Sequence, residues 1–381
     1  MSKGLKPEIR FEEFEVEWEK CNFEEIFIVE NFSSFSTEKE LNGKFPIIQQ
    51  GLNPILGYSN KEPNKEFEKY IVFGDHSLSL YLPNRPFLVA PDGIKLLNVN
   101  IPRYFFFQLL LKNLPEHRGY QRHLGLLKEN QYFISNQFQE QQKIANLFKN
   151  IDDQIQPQDQ KIQKLENVKK ELLQKMFADK ENLVPKIRFK GFEGEWEYIK
   201  IKDISSFENG FSYEKYINKY GKFKIINLNS VTVNGLLNDN KKKTDFAKKI
   251  LEKDSIIIIL SDIASGSLIG KTTVIPEENK YVLNQRVGSL VLNSKNNDSF
   301  FISKVINNNS EYFSSISSGT AQLNISKNDV LEMEIYITKQ LFEQQKIAKL
   351  FTTLDNVIKL NKQKLEKLQN IKTTLLQKMF V

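Results

Sequence analysis

Apolar residues step by four and three along two long stretches of the chain. In residues 140–177 they fall at Ile144, Phe148, Ile151, Ile155, Ile162, Leu165, Leu172 and Met176. In residues 343–380 they fall at Ile347, Phe351, Leu354, Ile358, Leu365, Leu368, Leu375 and Met379. That period predicts two helices with one apolar seam each. A helix of 38 residues is about 57 Å long at 1.5 Å per residue, and a helix with a single seam cannot bury that stripe alone. The two are therefore expected to pack on each other, and an antiparallel pair is the expected arrangement.

Polar residues interrupt both seams, Gln158 and Lys169 in the first and Asn361 and Lys372 in the second. Two readings stand for them: polar groups that fix the register of the pair, or a wet edge. Pro157 removes a backbone donor inside the first stretch, so a kink or restart is expected near Gln156, whereas its counterpart Leu360 imposes nothing similar.

The segments outside the two seams read differently. Short β-rich runs divided by Gly, Asn and Asp predict strands in residues 222–235, 254–260, 272–275, 286–293 and 331–337, with a helix between 298 and 313. Earlier in the chain, 43–51, 70–74 and 87–91 read as strands and 102–114 as a helix. The fold class is α+β.

The two seams are also copies. Residues 140–177 return as 343–380 with 22 of 38 positions identical, and PEIRFEEFEVEWE (7–19) returns as PKIRFKGFEGEWE (185–197) with 9 of 13 identical. Between these copies lie two inserts, 20–139 and 198–342, that share no comparable identity. A frame is thus repeated around two different modules, which suits a protein presenting two different contact surfaces.

Composition adds limits. A net charge of +7 on 381 residues is compatible with nucleic acid without demanding it. The single Cys21 excludes a disulfide scaffold within the chain, and no apolar run reaches the length of a membrane span, so a cytoplasmic protein is expected. Three histidines, His76, His117 and His123, lack paired metal-ligand spacing, and no GxSxG elbow is present. No metal site and no catalytic constellation are expected. SGSLIGKTT (265–273) mimics a phosphate loop but is one residue short between Gly266 and Gly270. It reads either as a structural turn or as a loop whose Lys271 and Thr272 meet DNA. The patch EHRGYQRH (116–123) and the lysines Lys241, Lys242, Lys243, Lys248 and Lys249 likewise read as DNA contacts or as ordinary solvated surface.

Two copies of P-x-I-R-F-x-x-F-x-x-E-W, each followed by a variable module, then E-Q-Q-K-I-A-x-L-F and L-L-Q-K-M-F, resemble the specificity subunit of bacterial type I restriction–modification systems. YGKFKIINLNSV, the strand near 254 with its GKT loop, and SGTAQLNIS (318–326) resemble that family's target-recognition domains. The resemblance implies two α/β target-recognition domains (1–139 and 181–342) joined by two long helices (140–180 and 343–381), packed as an antiparallel coiled coil with a pseudo-two-fold repeat. It implies a non-catalytic subunit that reads a split sequence in double-stranded DNA and docks two methyltransferase subunits and the restriction/translocase subunits, with no membrane partner. S-adenosylmethionine would be bound by the methyltransferase and no cofactor by this chain, which contains no NPPY or DPPY motif. Its recognition loops would read bases through polar side chains. The candidates are Gln49, Gln50, His76, Arg118, Arg122 and His123 in the first module, and Lys271, Thr272, Gln285, Arg286, Thr320 and Gln322 in the second. Whether the first module, which is shorter and lacks a GKT loop, is a complete recognition domain stays open. An adaptor that uses the helix pair only to recruit proteins is the alternative.

Overall fold

The computed structural model describes residues 6–30, 35–100, 102–117, 119, 121–239, 241–263, 267–319 and 322–381. The chain divides into two compact units, residues 1–161 with 361–381, and residues 162–360. The two long helices are Phe138–Lys175 and Leu341–Lys378. Each helix contributes residues to both units, so the units do not follow the linear order of modules and helices.

In the first unit Asp152 accepts from the Lys372 ammonium at 2.7 and 2.8 Å, and the Gln158 amide donates to the Asn361 side-chain and main-chain oxygens at 2.8 and 3.0 Å. Numbers rise along one helix as they fall along the other, so the helices run antiparallel. In the second unit Lys169 pairs with Asp355. The repeat offset of 203 maps Asp152 onto Asp355 and Lys169 onto Lys372, so one bond is made twice. Gln158 and Asn361 are themselves equivalent positions, and a position that meets its own equivalent marks an isologous contact. All four polar seam residues are therefore paired, which favours the register reading over the wet edge.

The expected restart at Pro157 does not occur, for the helix runs unbroken from Phe138 to Lys175. Pro157 and Asp153 are both exposed, so water can satisfy the carbonyl that loses its donor. Ile151, Gln158 and Ile162, buried on the other face, hold the helix together across that point.

The short elements repeat as well. Glu19–Asn22 pairs with Gln131–Ile134, and Glu197–Lys200 with Glu334–Ile337, both antiparallel. The first module has a four-stranded sheet in the order Phe27–Glu30, Ile94–Val99, Tyr70–Gly74, Leu80–Tyr81. The second has Ser205–Asn209, Val287–Leu292, Ile256–Ile259, Thr272–Val274 in the corresponding order. A three-stranded sheet follows in each, with Phe45–Ile48 central in one and Phe223–Ile226 central in the other. In both, the central strand has one antiparallel and one parallel neighbour. Modules without sequence identity thus share one topology, and the shorter first module has both sheets.

Two differences from the sequence reading have local causes. Residues 331–337 are not one strand, because Ser326 and Asp329 form a capping box that starts a helix, Lys327–Leu331, before strand Glu334–Ile337 begins. The apolar run 222–235 breaks after Ile226, where Asn227 accepts from the Asn229 amide and turns the chain into a single 3-10 turn.

The frame motifs build the core beneath each module. Trp18, 1% exposed, stands edge-on to Phe105 and Phe380, while Phe148 packs on Phe380. At the equivalent places in the second unit Trp196 meets Phe301 and Phe177, and Phe351 packs on Phe177. Phe105 lies in the module helix Arg103–Lys112 and Phe301 in Ser299–Asn308, so each module plugs one aromatic side chain into the same cage.

Candidate nucleic-acid interface

The repeated arginine and glutamate fix each module to its helix. Arg10 donates to both carboxylate oxygens of Glu140 at 2.7 and 2.8 Å and to the Val16 carbonyl. Arg188 does the same to Glu343 at 2.6 and 2.8 Å and to the Gly194 carbonyl. Both glutamate side chains are fully buried, and the planar fork meets both oxygens of each with charge-assisted bonds. The backbone N–H of Ile9 donates to the Lys378 carbonyl and that of Ile187 to the Lys175 carbonyl, closing the last turn of a long helix in each unit. This frame holds the modules; the variable loops sit on it.

In the first module the loop after Tyr70–Gly74 gathers most of the candidates. The His76 amide donates to the Gln50 side chain at 3.1 Å, and its ring Nδ1 lies 3.2 Å from the Gln121 carbonyl. Gln49 follows strand Phe45–Ile48 and donates to the Asn53 carbonyl. Arg122 is exposed beside them. His123 is fully buried, its amide bonded to Asp75 and its ring stacked on His117 at 5.3 Å. His123 therefore positions the loop rather than facing outward. Arg118 lies outside the described residues.

In the second module the turn between Tyr281–Leu283 and Val287–Leu292 presents Gln285 and Arg286, both exposed, with Arg286 at φ +68°. A Cβ on Gly210 would collide with the Asn284 carbonyl, so glycine is required where the two segments cross. Asn284 accepts from the Tyr213 amide and donates to Glu214. Hydrogen bonds from Ser212 and Asn284 hold the Glu214 carboxyl down to a pKa of about 2. The turn is thus braced behind two outward side chains.

The GKT segment behaves otherwise. Thr272 is fully buried and bonded to Ser303, and its amide donates to Asn307. Lys271 donates to Ser310 at 2.6 Å, and burial pulls its pKa down while Glu311 pulls it up. A Cβ on Gly270, at φ +70°, would strike the Phe313 ring. Residues 267–273 therefore serve as a structural turn in this geometry. Gln322 is half-buried in strand Gln322–Asn324, which pairs with Ser261–Ile263. Thr320 lies outside the described residues.

Loops at the same topological position carry candidates in both modules. His76 precedes the outer strand of its four-stranded sheet as Lys271 does in the second, and Arg122 precedes a short helix as Gln322 does. Sequence reasoning missed the aromatic residues Tyr216, Tyr220 and Phe246. The signal for the two tyrosines was readable as aromatic residues interleaved with lysines over residues 211–223, and Phe246 lies among the lysines of residues 241–249.

Comparison with known proteins gives the class. The model of the type I restriction modification DNA specificity domain matches residues 193–370. Those residues are therefore similar to such a specificity domain. The specificity subunit of the type I restriction enzyme MjaVIII from Methanocaldococcus jannaschii is 24% identical over 258 residues, which is 62% of this chain. The chain spans 58% of that relative's length. The S subunit of the type I restriction–modification system from M. genitalium is similar in fold with a TM-score of 0.73, at 20% identity over 99% of both chains. The HsdS subunit from Thermoanaerobacter tengcongensis gives a TM-score of 0.42 at 12% identity, over 95% of this chain and 96% of that one. The matched residues cover the second module and most of the second long helix, and the first module has the same sheet topology as the second. Among the described residues no helix is long and apolar enough to cross a membrane.

Proposed function

We propose that this chain is the DNA sequence-specificity subunit of a type I restriction–modification complex, without catalytic chemistry of its own. One observation carries the reading: two modules of the same topology and unrelated sequence stand on frames that repeat bond for bond, and the second lies in a specificity domain. Duplicated scaffolding with divergent loops provides two readers, each suited to one half of a split target in double-stranded DNA. Gln49, Gln50, His76 and Arg122 would meet one half-site, and Gln285 and Arg286 the other, through base edges. The long helices would set the spacing of the half-sites and dock two methyltransferase subunits, which bind S-adenosylmethionine; the restriction/translocase subunits join that assembly. The methyltransferase would also take the target base out of the stack.

Methylome sequencing of a methylation-free host tests this. Expression of the chain with its neighbouring methyltransferase is expected to give a bipartite motif that the methyltransferase alone does not give. The same methylation pattern with and without the chain, in a confirmed complex, would refute the reading.

A further inference from the structure

The positive charge of the chain is concentrated in one place. Residues 213–249 carry nine lysines against three acids, a net +6 of the chain's total +7, and the rest of the second unit is neutral. These residues surround the outer hairpin of the second module, Phe223–Ile226 with Lys243–Thr244. The equivalent hairpin of the first module, Phe45–Ile48 with Ile55–Ser59, lies in residues 35–60, which hold two lysines and two acids. One topological element is thus strongly basic in one module and neutral in the other.

The basic hairpin also has an aromatic face. Tyr216 and Phe246 stack at 4.5 Å with 24° between their planes, and they are 44% and 42% exposed. Tyr220 is 84% exposed with the Lys219 ammonium over its ring, and Lys248 stands 5.0 Å from the centre of Phe211. Lys215, Lys219, Lys222, Lys241 and Lys248 are exposed and have no ion-pair partner among the described residues. Unpaired lysines set among exposed aromatic rings form a surface complementary to a polyanion with stackable or apolar parts.

We infer that this hairpin is an electrostatic clamp on duplex DNA, and that the two halves of the target are held unequally. The second module supplies most of the phosphate contacts, while the first binds its half-site with little counterion release. The inference rests on the proposed DNA-reading function and adds an asymmetry that the repeat does not suggest. Each lysine that neutralises a phosphate steepens the dependence of log K on log salt by about 0.9.

The test replaces Lys219, Lys222, Lys241 and Lys248 together by Gln, in the full chain with its methyltransferase. A control replaces Lys39, Lys44, Lys61 and Lys65 of the first module by Gln. Binding of a short fluorescent duplex of mixed sequence is titrated across salt concentrations. The clamp variant is expected to lose about 3.6 from the magnitude of the slope, and the control less than 1. Equal losses in both variants would overturn the clamp. So would a single-stranded RNA that binds the wild type as tightly as the duplex, or a clamp variant that no longer co-purifies with the methyltransferase, which would assign the face to a protein. If the wild type yields a bipartite methylation motif while the slopes do not separate, the clamp fails and the specificity reading stands; if it yields neither motif nor duplex binding, both fail.

Discussion

Glu343 is fully buried and its charge is met by one guanidinium, so the pair can be broken only at high cost. Removing one member leaves the other charged and without its partner, a loss of about 3–5 kcal/mol for buried pairs, whereas replacing both with apolar residues of similar volume is often tolerated. Glu343→Ala is therefore expected to lower the denaturant midpoint strongly, and Arg188→Met with Glu343→Leu to lower it less than either single change. Equal effects of single and double variants in equilibrium unfolding would contradict the argument. Glu214 supplies a second test. Its folded-state pKa, about 2, lies below the ordinary 4.5 because Ser212 and Asn284 bond to the ionised form. The stabilisation it gives is complete above pH of about 4.5 and fades as the pH falls towards 2. NMR titration of its side chain should show a midpoint near 2, and Asn284→Ala should move that midpoint up towards the ordinary value.

Elements differed in how openly the sequence declared them. The long helices were legible because their seams repeat over 38 residues, and the polar seam positions were legible as positions, although only the structure shows that each has a partner. The common topology of the modules was not legible, since strand order arises from long-range pairing that leaves no identity behind. Ile94–Val99, the strand linking three others into the first sheet, was missed because IKLLNV has neither helical nor alternating period. At the candidate site the lysines at 241–249 stood out by charge, whereas the GKT segment read equally as a turn or a DNA contact, and only the structure shows Thr272 buried with its hydroxyl bonded to Ser303. Pro157 was expected to kink or restart its helix near Gln156, and no restart occurs. A missing hydrogen bond at an exposed position still carries a cost, because proline is about 3 kcal/mol less favourable than alanine in a helix interior. Pro157→Ala should raise the melting temperature, and its equivalent Leu360 shows that the repeat accepts a larger side chain there. An unchanged or lower melting temperature would mean that packing on the proline ring outweighs the lost bond.

For the molecule as a whole, the repeat makes length and content separable. On the proposed function content lies in the modules: exchanging residues 198–341 for the corresponding module of a type I specificity subunit should change one half of the methylated motif and leave the other half alone. On the same proposal length lies in the helices, and the equivalence of Gln158 and Asn361 shows where to shorten them. Residues 155–161 and 358–364 are the same seven positions of the two copies and are centred on that contact, which leaves with them. Deleting both stretches removes matched segments of the antiparallel pair, so Asp152 still has Lys372 to meet and Lys169 still has Asp355. Seven residues shorten a helix by about 10.5 Å at 1.5 Å per residue, which corresponds to about 3 base pairs at 3.4 Å each. The expected methylome keeps both half-sites and loses about 3 base pairs from the spacer. Because seven residues fall about 20° short of two full turns, the rate of methylation should drop as well. A shortened chain that methylates the original spacer at full rate would show that the helices join the modules without measuring the distance between the half-sites.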